Sequence, residues 1–203
     1  MSSPRYWCTD TERLLLERYI SLLYAQSNRI NLTRVPQANA WERHVEESLD
    51  LLPLRRWTSG EYVLDLGSGG GVPGLPLAIT QPQLDFGLIE RDRAKAAFLL
   101  SCLGQLGLAS VRVMAQDASE LARSQGFRAA DVLVSRAAQP LPRLLGTAAR
   151  LLRTGGEGLV HVGASAALGE PELVAAHRAG VGGLKLERAG RSRVLRFVKL
   201  PVP

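Results

Sequence analysis

The amino-acid sequence predicts an α/β fold: a mostly parallel seven-stranded sheet, helices on both faces, a terminal antiparallel hairpin and an N-terminal helical extension. Three observations predict it. Strand-like and helical runs alternate from Glu61 onward, residues 1–60 show only helical patterns, and the last two strand runs have no helix between them. The 203 residues, 46% of them apolar, suffice for one full hydrophobic core. We therefore expect residues 1–60 to pack as an extension on a single compact unit of residues 61–203.

The extension is predicted to hold two helices. Thr9 and Glu12 have the spacing of a capping box before an apolar run of helical period, which predicts a first helix ending near Ser27. After the polar stretch "NRINLTRVP", Pro36 opens a second helix that breaks near Pro53. The extension also carries all three tryptophans, Trp7, Trp41 and Trp57. We expect them to pack the extension onto the main body, an interpretation that is favoured over a surface for a partner.

The alternating region reads as five strand–helix units and a hairpin. The strand runs are "YVLDLG", "LDFGLIE", "SVRVMAQ", "DVLVSR" and "GEGLVHVG", and a helical run follows each. This repetition predicts parallel strands covered by helices on both faces. The chain then ends in "GLKLER", the turn "AGRS" and "RVLRFVKL", an antiparallel pair. Such an ending resembles the common methyltransferase form of the Rossmann-like sheet.

The stretch "VLDLGSGGGVPG" predicts a ligand site after the first strand. Ligands of doubly wound sheets lie at the carboxyl ends of the strands, over the loop that leads into the next helix. Gly67, Gly69 and Gly71 allow positive φ and a close approach of the main chain to a ligand. Pro73 suits the first turn of the following helix, whose free N–H groups favour an anion.

Two ligands fit this loop. Gly69, Gly71 and Gly74 spell the dinucleotide fingerprint G-x-G-x-x-G, whereas Gly67, Gly69 and Gly71 after Asp65 spell the loop that binds S-adenosylmethionine. The strand ends at Leu66, which makes Gly67 the first loop glycine and favours the second reading. Asp65 can face the ammonium of the methionyl group while loop amides, that of Ser68 included, take its carboxylate. A tight turn without any ligand remains the alternative.

Acidic residues after the second and third strands extend the predicted site. Glu90 can accept both ribose hydroxyls, which serves either cofactor, or it can be merely the neighbour of the helix cap Asp92. Asp117, followed by Ala118 and Ser119, stands where an acceptor meets the adenine amine, or where a helix needs its N-cap.

Charge and composition narrow the class of protein. The net charge is +6, and most of the basic residues are arginines. This composition fits a phosphate-bearing partner, or it reflects only a general use of arginine in place of lysine. No apolar run reaches the ~18 residues of a membrane span, and no signal-like segment opens the chain. Cys8 and Cys102 lack metal spacing and indicate reduced thiols. We expect a cytoplasmic protein without a metal.

Several further motifs occur together in a familiar order: "NLT" at 31–33, "RHVEES" at 43–48, the glycine loop with "PGLP", "RAKAAFL" at 93–99, "VSRA" at 134–137 and "RVLRFVKL". With them, nearly the whole chain resembles the small-subunit (16S) ribosomal RNA guanine methyltransferases that modify ring nitrogen 7, also called glucose-inhibited division protein B. The resemblance implies S-adenosylmethionine as cofactor and 16S ribosomal RNA, or the small subunit, as partner. We expect the protein to be a monomer.

The resemblance also implies site residues. A cofactor site would include Gly67, Val72, Ala118, Ser119 and Arg136, and a basic active-site mouth would include Arg136 and Arg193 as catalytic residues. The sequence departs from the family at three positions, where Val162 replaces a lysine, Asp117 replaces a frequent basic residue, and Glu47 replaces an aspartate. The lost lysine leaves another RNA or a small molecule as alternative substrates, and a non-catalytic nucleotide-binding module as a further alternative.

Methylation at ring nitrogen 7 needs little from the protein. This nitrogen carries a free lone pair, so positioning without a general base or metal can suffice. The stretch 135–138 lacks the Asn/Asp-Pro-Pro-aromatic motif of exocyclic-amine enzymes, and Cys102 is expected to be buried rather than nucleophilic. His44 is read as a structural hydrogen-bonding residue. Candidate phosphate contacts are Arg29, Arg34, Arg143, Arg191 and Arg193.

Overall fold

The structure is a computed structural model that describes residues 8–136 and 139–201. Seven strands form one sheet in the order β3-β2-β1-β4-β5-β7-β6. Strands β1 to β5 pair in parallel, and β7 runs antiparallel to both β5 and β6, which confirms the predicted fold class. The strands are β1 Tyr62–Leu66, β2 Asp85–Ile89, β3 Val111–Met114, β4 Ala130–Arg136, β5 Leu152–Val162, β6 Val181–Ala189 and β7 Ser192–Lys199.

Seven α-helices accompany the strands within the described residues: α1 Asp10–Ile30, α2 Glu47–Leu49, α3 Gly74–Thr80, α4 Arg93–Leu106, α5 Ala118–Leu121, α6 Leu141–Leu151 and α7 Glu170–Ala179. The capping box of α1 is confirmed, because Thr9 N donates to Glu12 Oε2 at 2.8 Å and Glu12 N donates to Thr9 Oγ1 at 3.2 Å. The predicted end near Ser27 was too early. The helix continues until Asn31 adopts a left-handed conformation with φ 49°, which asparagine tolerates.

The second predicted helix is present but is not a regular α-helix. A 3-10 turn at Gln37–Asn39 leads into a π-helix at Trp41–Glu46, then into α2 and a second 3-10 turn at Leu52–Leu54. Irregular turns of this kind re-aim side chains and are common near functional sites. The helix predicted after β3 is likewise shorter than expected, because α5 ends at Leu121.

Two apolar clusters cover the two faces of the sheet. The cluster on the side of α1, α3 and α4 contains Leu16, Tyr19 and Leu23 from α1, all fully buried. Burial of each such side chain contributes roughly 1.5–3 kcal/mol. Trp41 and Trp57 pack against the same cluster, as predicted, and Trp7 lies outside the described residues.

The opposite cluster lies under α6 and α7. It joins apolar side chains of β1, β4 and β5 to those of the hairpin, Leu195 and Phe197 among them. In the part of the chain that the structure describes, no helix has both the length and the apolar character needed to cross a membrane.

Candidate functional site

The loop after β1 has the backbone that its glycines predict. Gly67, Gly69 and Gly71 have φ values of 72°, 54° and 99°, in the left-handed region that favours glycine. The loop runs over the carboxyl ends of β1 and β2, where the Gly67 and Ser68 amides both donate to the Ile89 carbonyl at 3.0 Å. It therefore exposes bare main chain at the strand ends.

A cavity of about 290 Å³ opens beside this loop and is called the glycine-loop cavity below. Seven of the predicted cofactor residues line it: Gly67, Gly69, Glu90, Asp117, Ala118, Ser119 and Arg136. Because β1, β2 and β3 are adjacent and parallel, the residues that follow them meet at one edge of the sheet. Arg91, Lys95 and Arg143 add positive charge to the wall.

Two carboxylates organise this cavity. The Gly69 amide donates to Glu90 Oε2 at 2.9 Å, and the Asp92 amide donates to Glu90 Oε1 at 2.8 Å. Each oxygen keeps a second lone pair toward a ligand. Asp117 caps α5 by accepting from the Ser119 amide at 2.8 Å, and this hydrogen bond lowers the pKa of Asp117. Asp117 is thus an N-cap and a wall of the cavity at once.

Asp65 lies behind the loop rather than in the cavity wall. Its side chain is fully buried, and Oδ2 accepts from the Gly74 amide at 3.1 Å. Oδ1 is buried without a hydrogen-bond partner among the described residues. Burial raises the pKa of Asp65 to about 7. The expectation that Asp65 faces the ammonium of a ligand is therefore corrected: its carboxylate binds the Gly74 amide behind the loop and does not line the cavity.

Three other predicted residues form the back of the loop. The Ser68 hydroxyl donates to the Asp65 carbonyl at 3.1 Å, and Val72 is buried in the core. A Cβ at Gly71 would lie 2.5 Å from Leu75 Cδ1. These residues do not line the cavity, and they shape the loop from behind.

Helix α1 supports the loop, which the sequence did not predict. The Tyr19 hydroxyl donates to the Gly70 carbonyl at 2.8 Å from a fully buried position. A Cβ at Gly70 would lie 2.8 Å from Leu23 Cδ1 and 3.1 Å from the Leu32 carbonyl oxygen. The apolar stripe of α1 signals burial, but nothing in it indicates which loop it covers.

A second cavity, of about 590 Å³, lies beyond the ends of β4 and β5 and is called the arginine cavity below. Five arginines and two glutamates line it: Arg43, Arg136, Arg188, Arg191, Arg193, Glu47 and Glu187. Of the described residues, Arg136 alone lines both cavities. The two cavities therefore share one lining residue, Arg136.

Arg136 is held by residues 37–54, the succession of 3-10, π- and α-helical turns that is called the irregular helical segment below. Its Nη1 donates to the Arg43 carbonyl at 2.5 Å, and its Nη2 lies 3.2 Å from His44 Nδ1. A guanidinium group only donates, so Nδ1 accepts and the ring proton is on Nε2, 3.1 Å from Thr33 Oγ1. Burial and the charges of Arg136 and Arg43 lower the pKa of His44 to about 4, which keeps the ring neutral.

The remaining predicted residues lie in the arginine cavity or outside both cavities. Arg193 and Arg191 line the arginine cavity, and Arg193 Nη1 donates to the Ala164 carbonyl at 2.6 Å. Val162 also lines it, so the wall is apolar where a lysine was expected. Arg29 and Arg34 line neither cavity.

Two arginines of the arginine cavity, Arg43 and Arg188, were missed. Arg43 belongs to the "RHVEES" motif, but no spacing rule links that motif to the hairpin that carries Arg188. Cys102 is buried as expected, and burial raises its pKa to about 12. No group of three potential metal ligands occurs among residues 8–136 and 139–201. Ala137 and Ala138, part of the predicted motif comparison, lie outside the described residues.

Comparison with solved structures supports the fold. The E81Q mutant of MtNAS, crystallised in complex with S-adenosylmethionine, superposes with a TM-score of 0.61 at 16% identity, over 94% of this chain and 77% of that one. At this level of identity the likeness concerns the fold alone.

Sequence comparison identifies relatives. The ribosomal RNA small subunit methyltransferase G of Sorangium cellulosum is 39% identical over 140 residues, 68% of this chain and 59% of the relative. That of Acidiphilium cryptum is 40% identical over 166 residues, 79% of this chain and 71% of the relative. A family model described as "GidB: rRNA small subunit methyltransferase G" matches residues 12–177. The resemblance drawn from the motifs is thereby confirmed, and the chain belongs to the GidB family of rRNA small subunit methyltransferases.

Proposed function

We propose that this protein is an S-adenosylmethionine-dependent methyltransferase that modifies ring nitrogen 7 of a guanine in small-subunit (16S) ribosomal RNA. One observation carries the proposal: in a member of this family, Arg136 joins a glycine-loop cavity to a larger arginine-lined cavity. A transferase needs a donor site and an acceptor site that open onto each other. The shared Arg136 supports such an arrangement by placing the two cavities next to each other.

The residues of the glycine-loop cavity fit the proposed cofactor. S-Adenosylmethionine supplies an activated methyl group on a sulfonium. Glu90 is placed to accept the ribose hydroxyls, and Asp117 and Ser119 to bind the adenine edge. The amides of Gly67, Ser68 and Gly69 donate within the protein, which corrects the expectation that they bind the methionyl carboxylate.

The arginine cavity suits a nucleotide of an RNA chain. Its arginines can neutralise phosphates, and its volume of about 590 Å³ can admit a base swung out of its stack. Ring nitrogen 7 of guanine is a free acceptor, so the protein has no proton to remove. Holding the reactants aligned can contribute roughly 7–11 kcal/mol in favourable systems.

The buried groups agree with catalysis by positioning. His44 is neutral and its Nδ1 faces Arg136, while Cys102 is enclosed in α4 with a raised pKa. Neither is arranged as a base or nucleophile. Arg136 and Arg193 are accordingly proposed as the groups that position the target base. We further propose that the protein is cytoplasmic and acts as a monomer.

Transfer of a tritiated methyl group to small-subunit RNA tests the proposal. We expect incorporation that depends on S-adenosylmethionine, with mass spectrometry of RNA from a deletion strain showing the loss of one 7-methylguanine. Calorimetry should show binding of S-adenosylmethionine and none of NAD. Tight cofactor binding without incorporation into RNA would contradict the proposal.

A second candidate is a methyltransferase of the same scaffold that acts on another RNA or a small molecule. The apolar Val162, which replaces the expected lysine in the arginine cavity, favours it. The same assay on total RNA and on an extract of small molecules separates the two. A non-catalytic nucleotide-binding module would bind the cofactor and transfer nothing.

A further inference from the structure

The arginine cavity contains a carboxylate that phosphate binding does not explain. Glu47 lines this cavity with a side chain that is 10% exposed, whereas a wall built only for phosphates would exclude a negative charge. Glu47 begins α2, directly after the π-helix ends at Glu46. The irregular segment thus turns a carboxylate toward the cavity at the point where it changes helix type.

Glu47 has acceptor capacity to spare. Arg43 Nη1 binds Oε1, and the only contact of Oε2 among the described residues is with Arg136 Nη1, at 3.9 Å. That distance is too long for a hydrogen bond. A carboxylate can accept about four hydrogen bonds, so both oxygens remain available to donors that enter the cavity.

We infer that Glu47 is a specificity-determining residue that reads the Watson–Crick edge of the target base and selects guanine. This inference rests on the proposed function. Flipped bases are read by hydrogen bonds to that edge. Guanine presents two adjacent donors there, N1–H and the 2-amino group, which match the two oxygens of one carboxylate. Adenine, cytosine and uracil each place an acceptor beside a donor and would meet Glu47 with repulsion.

The reading edge and the reacting atom of guanine are different. Ring nitrogen 7 lies on the imidazole side of the base, away from N1 and the 2-amino group. Contact with Glu47 therefore leaves the reacting nitrogen free. Arg43 and Arg136 flank the Glu47 carboxylate and keep it oriented. Arg136, which also lines the glycine-loop cavity, therefore supports the residue that reads the base.

Inosine at the methylated position tests this role, because inosine keeps N7, O6 and N1–H but lacks the 2-amino group. Small-subunit RNA is assembled by ligation with guanosine or inosine at the position mapped by mass spectrometry. For the unaltered protein we expect kcat/KM to fall about ten-fold or more with inosine, the effect of one lost hydrogen bond to a charged group. In Glu47→Gln, the guanosine-to-inosine ratio should shrink, since one neutral amide oxygen replaces two charged carboxylate oxygens.

Glu187→Gln is the matched control, because Glu187 is the other carboxylate of the same cavity and lies on β6. Its guanosine-to-inosine ratio should equal that of the unaltered protein. Calorimetry with S-adenosylmethionine verifies that each variant is folded. If Glu47→Gln does not fold, the guanosine-to-inosine ratio of the unaltered protein is the test. Equal rates on guanosine and inosine would then overturn the inference. A ratio that Glu47→Gln leaves unchanged would overturn it as well.

RNA with 7-deazaguanosine separates this inference from the proposed function. That base keeps the edge read by Glu47 but has carbon in place of nitrogen 7, so it should bind and accept no methyl group. Methylation of the 7-deaza RNA would refute the proposed position of transfer. The inosine comparison would still report on Glu47.

Discussion

The glycine-loop cavity and the arginine cavity are assembled in different ways. The first is lined mostly by residues close to the ends of β1, β2, β3 and β4, neighbours in one sheet, with Arg143 and Thr147 added from α6. The second combines the irregular helical segment, the ends of β4 and β5, and the β6–β7 hairpin, from Arg43 to Arg193. Local strand order places the first, and long-range packing places the second. Arg136 belongs to both.

The two cavities also differ in the groups they use. The glycine-loop cavity depends on main-chain amides held by buried carboxylates, whereas the arginine cavity depends on long side chains anchored at carbonyl oxygens and at His44. Changes in the first should alter stability and cofactor affinity, and changes in the second should alter turnover and RNA binding. The predictions below test this division.

The largest effect is expected from the ionisation of Asp65. Its pKa is raised from 3.8 to about 7, so the folded state favours the protonated form. The stability this group contributes is complete below pH 3.8 and is lost as the pH rises through about 7, a change of a few kcal/mol. The asparagine of Asp65→Asn cannot ionise, so this variant does not lose that stability. The free energy of unfolding in urea is measured for both proteins, and the value for Asp65→Asn minus that for the unaltered protein should rise from pH 4 to pH 8.

Two histidines titrate in the opposite sense. Burial lowers the pKa of both His44 and His161 to about 4, so the stability they contribute is present above pH 6.5 and lost as the pH falls through about 4. The unaltered protein and Asp65→Asn both contain the two histidines. Their contribution therefore cancels in the difference between the two unfolding free energies. A difference that stays constant with pH would show that Asp65 is ionised throughout.

Arg136→Lys tests the shared wall. Lysine keeps the charge but cannot donate at once to the Arg43 carbonyl and His44 Nδ1. We expect kcat/KM for methyl transfer to fall on the order of 100-fold, the cost of a lost preorganised donor. The calorimetric Kd for S-adenosylmethionine should change much less. Full activity in a folded Arg136→Lys protein would remove Arg136 from the proposed machinery.

Gly69 in the loop and Gly74 at the start of α3 should respond differently to alanine. A Cβ at Gly74 would lie 2.6 Å from Asp65 Oδ2 and 2.5 Å from Leu88 Cδ2, so Gly74→Ala should lower the unfolding free energy by roughly 1–3 kcal/mol. At Gly69 the nearest atom, the Gly67 carbonyl oxygen, is 3.9 Å away. Chemical denaturation and calorimetry distinguish the two variants.

Gly69→Ala is therefore expected to weaken cofactor binding chiefly by crowding the ligand. The protein itself has room for the methyl group, although φ of 54° adds strain of about 1–2 kcal/mol. Unchanged affinity for S-adenosylmethionine would contradict the assignment of this cavity to the cofactor.

Substitution of His44 tests its role as a positioning residue. Asparagine can place an oxygen where Nδ1 accepts from Arg136, whereas glutamine places one near Nε2. We expect His44→Gln to lower kcat about ten-fold, roughly one hydrogen bond to a charged group, and His44→Asn to stay within about three-fold. Equal losses in both variants, measured with the methyl-transfer assay, would indicate a role in folding only.

The smallest effect concerns salt. If Arg193 contacts a phosphate, Arg193→Gln should reduce the exponent of the salt dependence of RNA affinity by about 0.7. Arg29→Gln is the matched control, because Arg29 lines neither cavity, and its exponent should equal that of the unaltered protein. Filter binding at several salt concentrations measures both. Equal exponents in all three proteins would exclude Arg193 from the RNA contact.

Sequence patterns brought together the residues of the glycine-loop cavity for a physical reason. Gly67, Glu90 and Asp117 each follow a strand, and parallel neighbouring strands bring such residues to one edge. Arg29 and Arg34, also predicted as phosphate contacts, line neither cavity, because equal charge does not place arginines on one face. The patterns missed Tyr19, whose contact with Gly70 spans 51 positions.

By itself, the sequence determined the alternation of elements, the bare loop and the family, because periodicity, glycine conformation and motif order are local properties. Only the tertiary structure decided that Asp65 lies behind the loop, that α1 supports Gly70, and that Glu47 and Arg136 face one cavity. The direction of a side chain across distant segments depends on packing, which no local pattern contains.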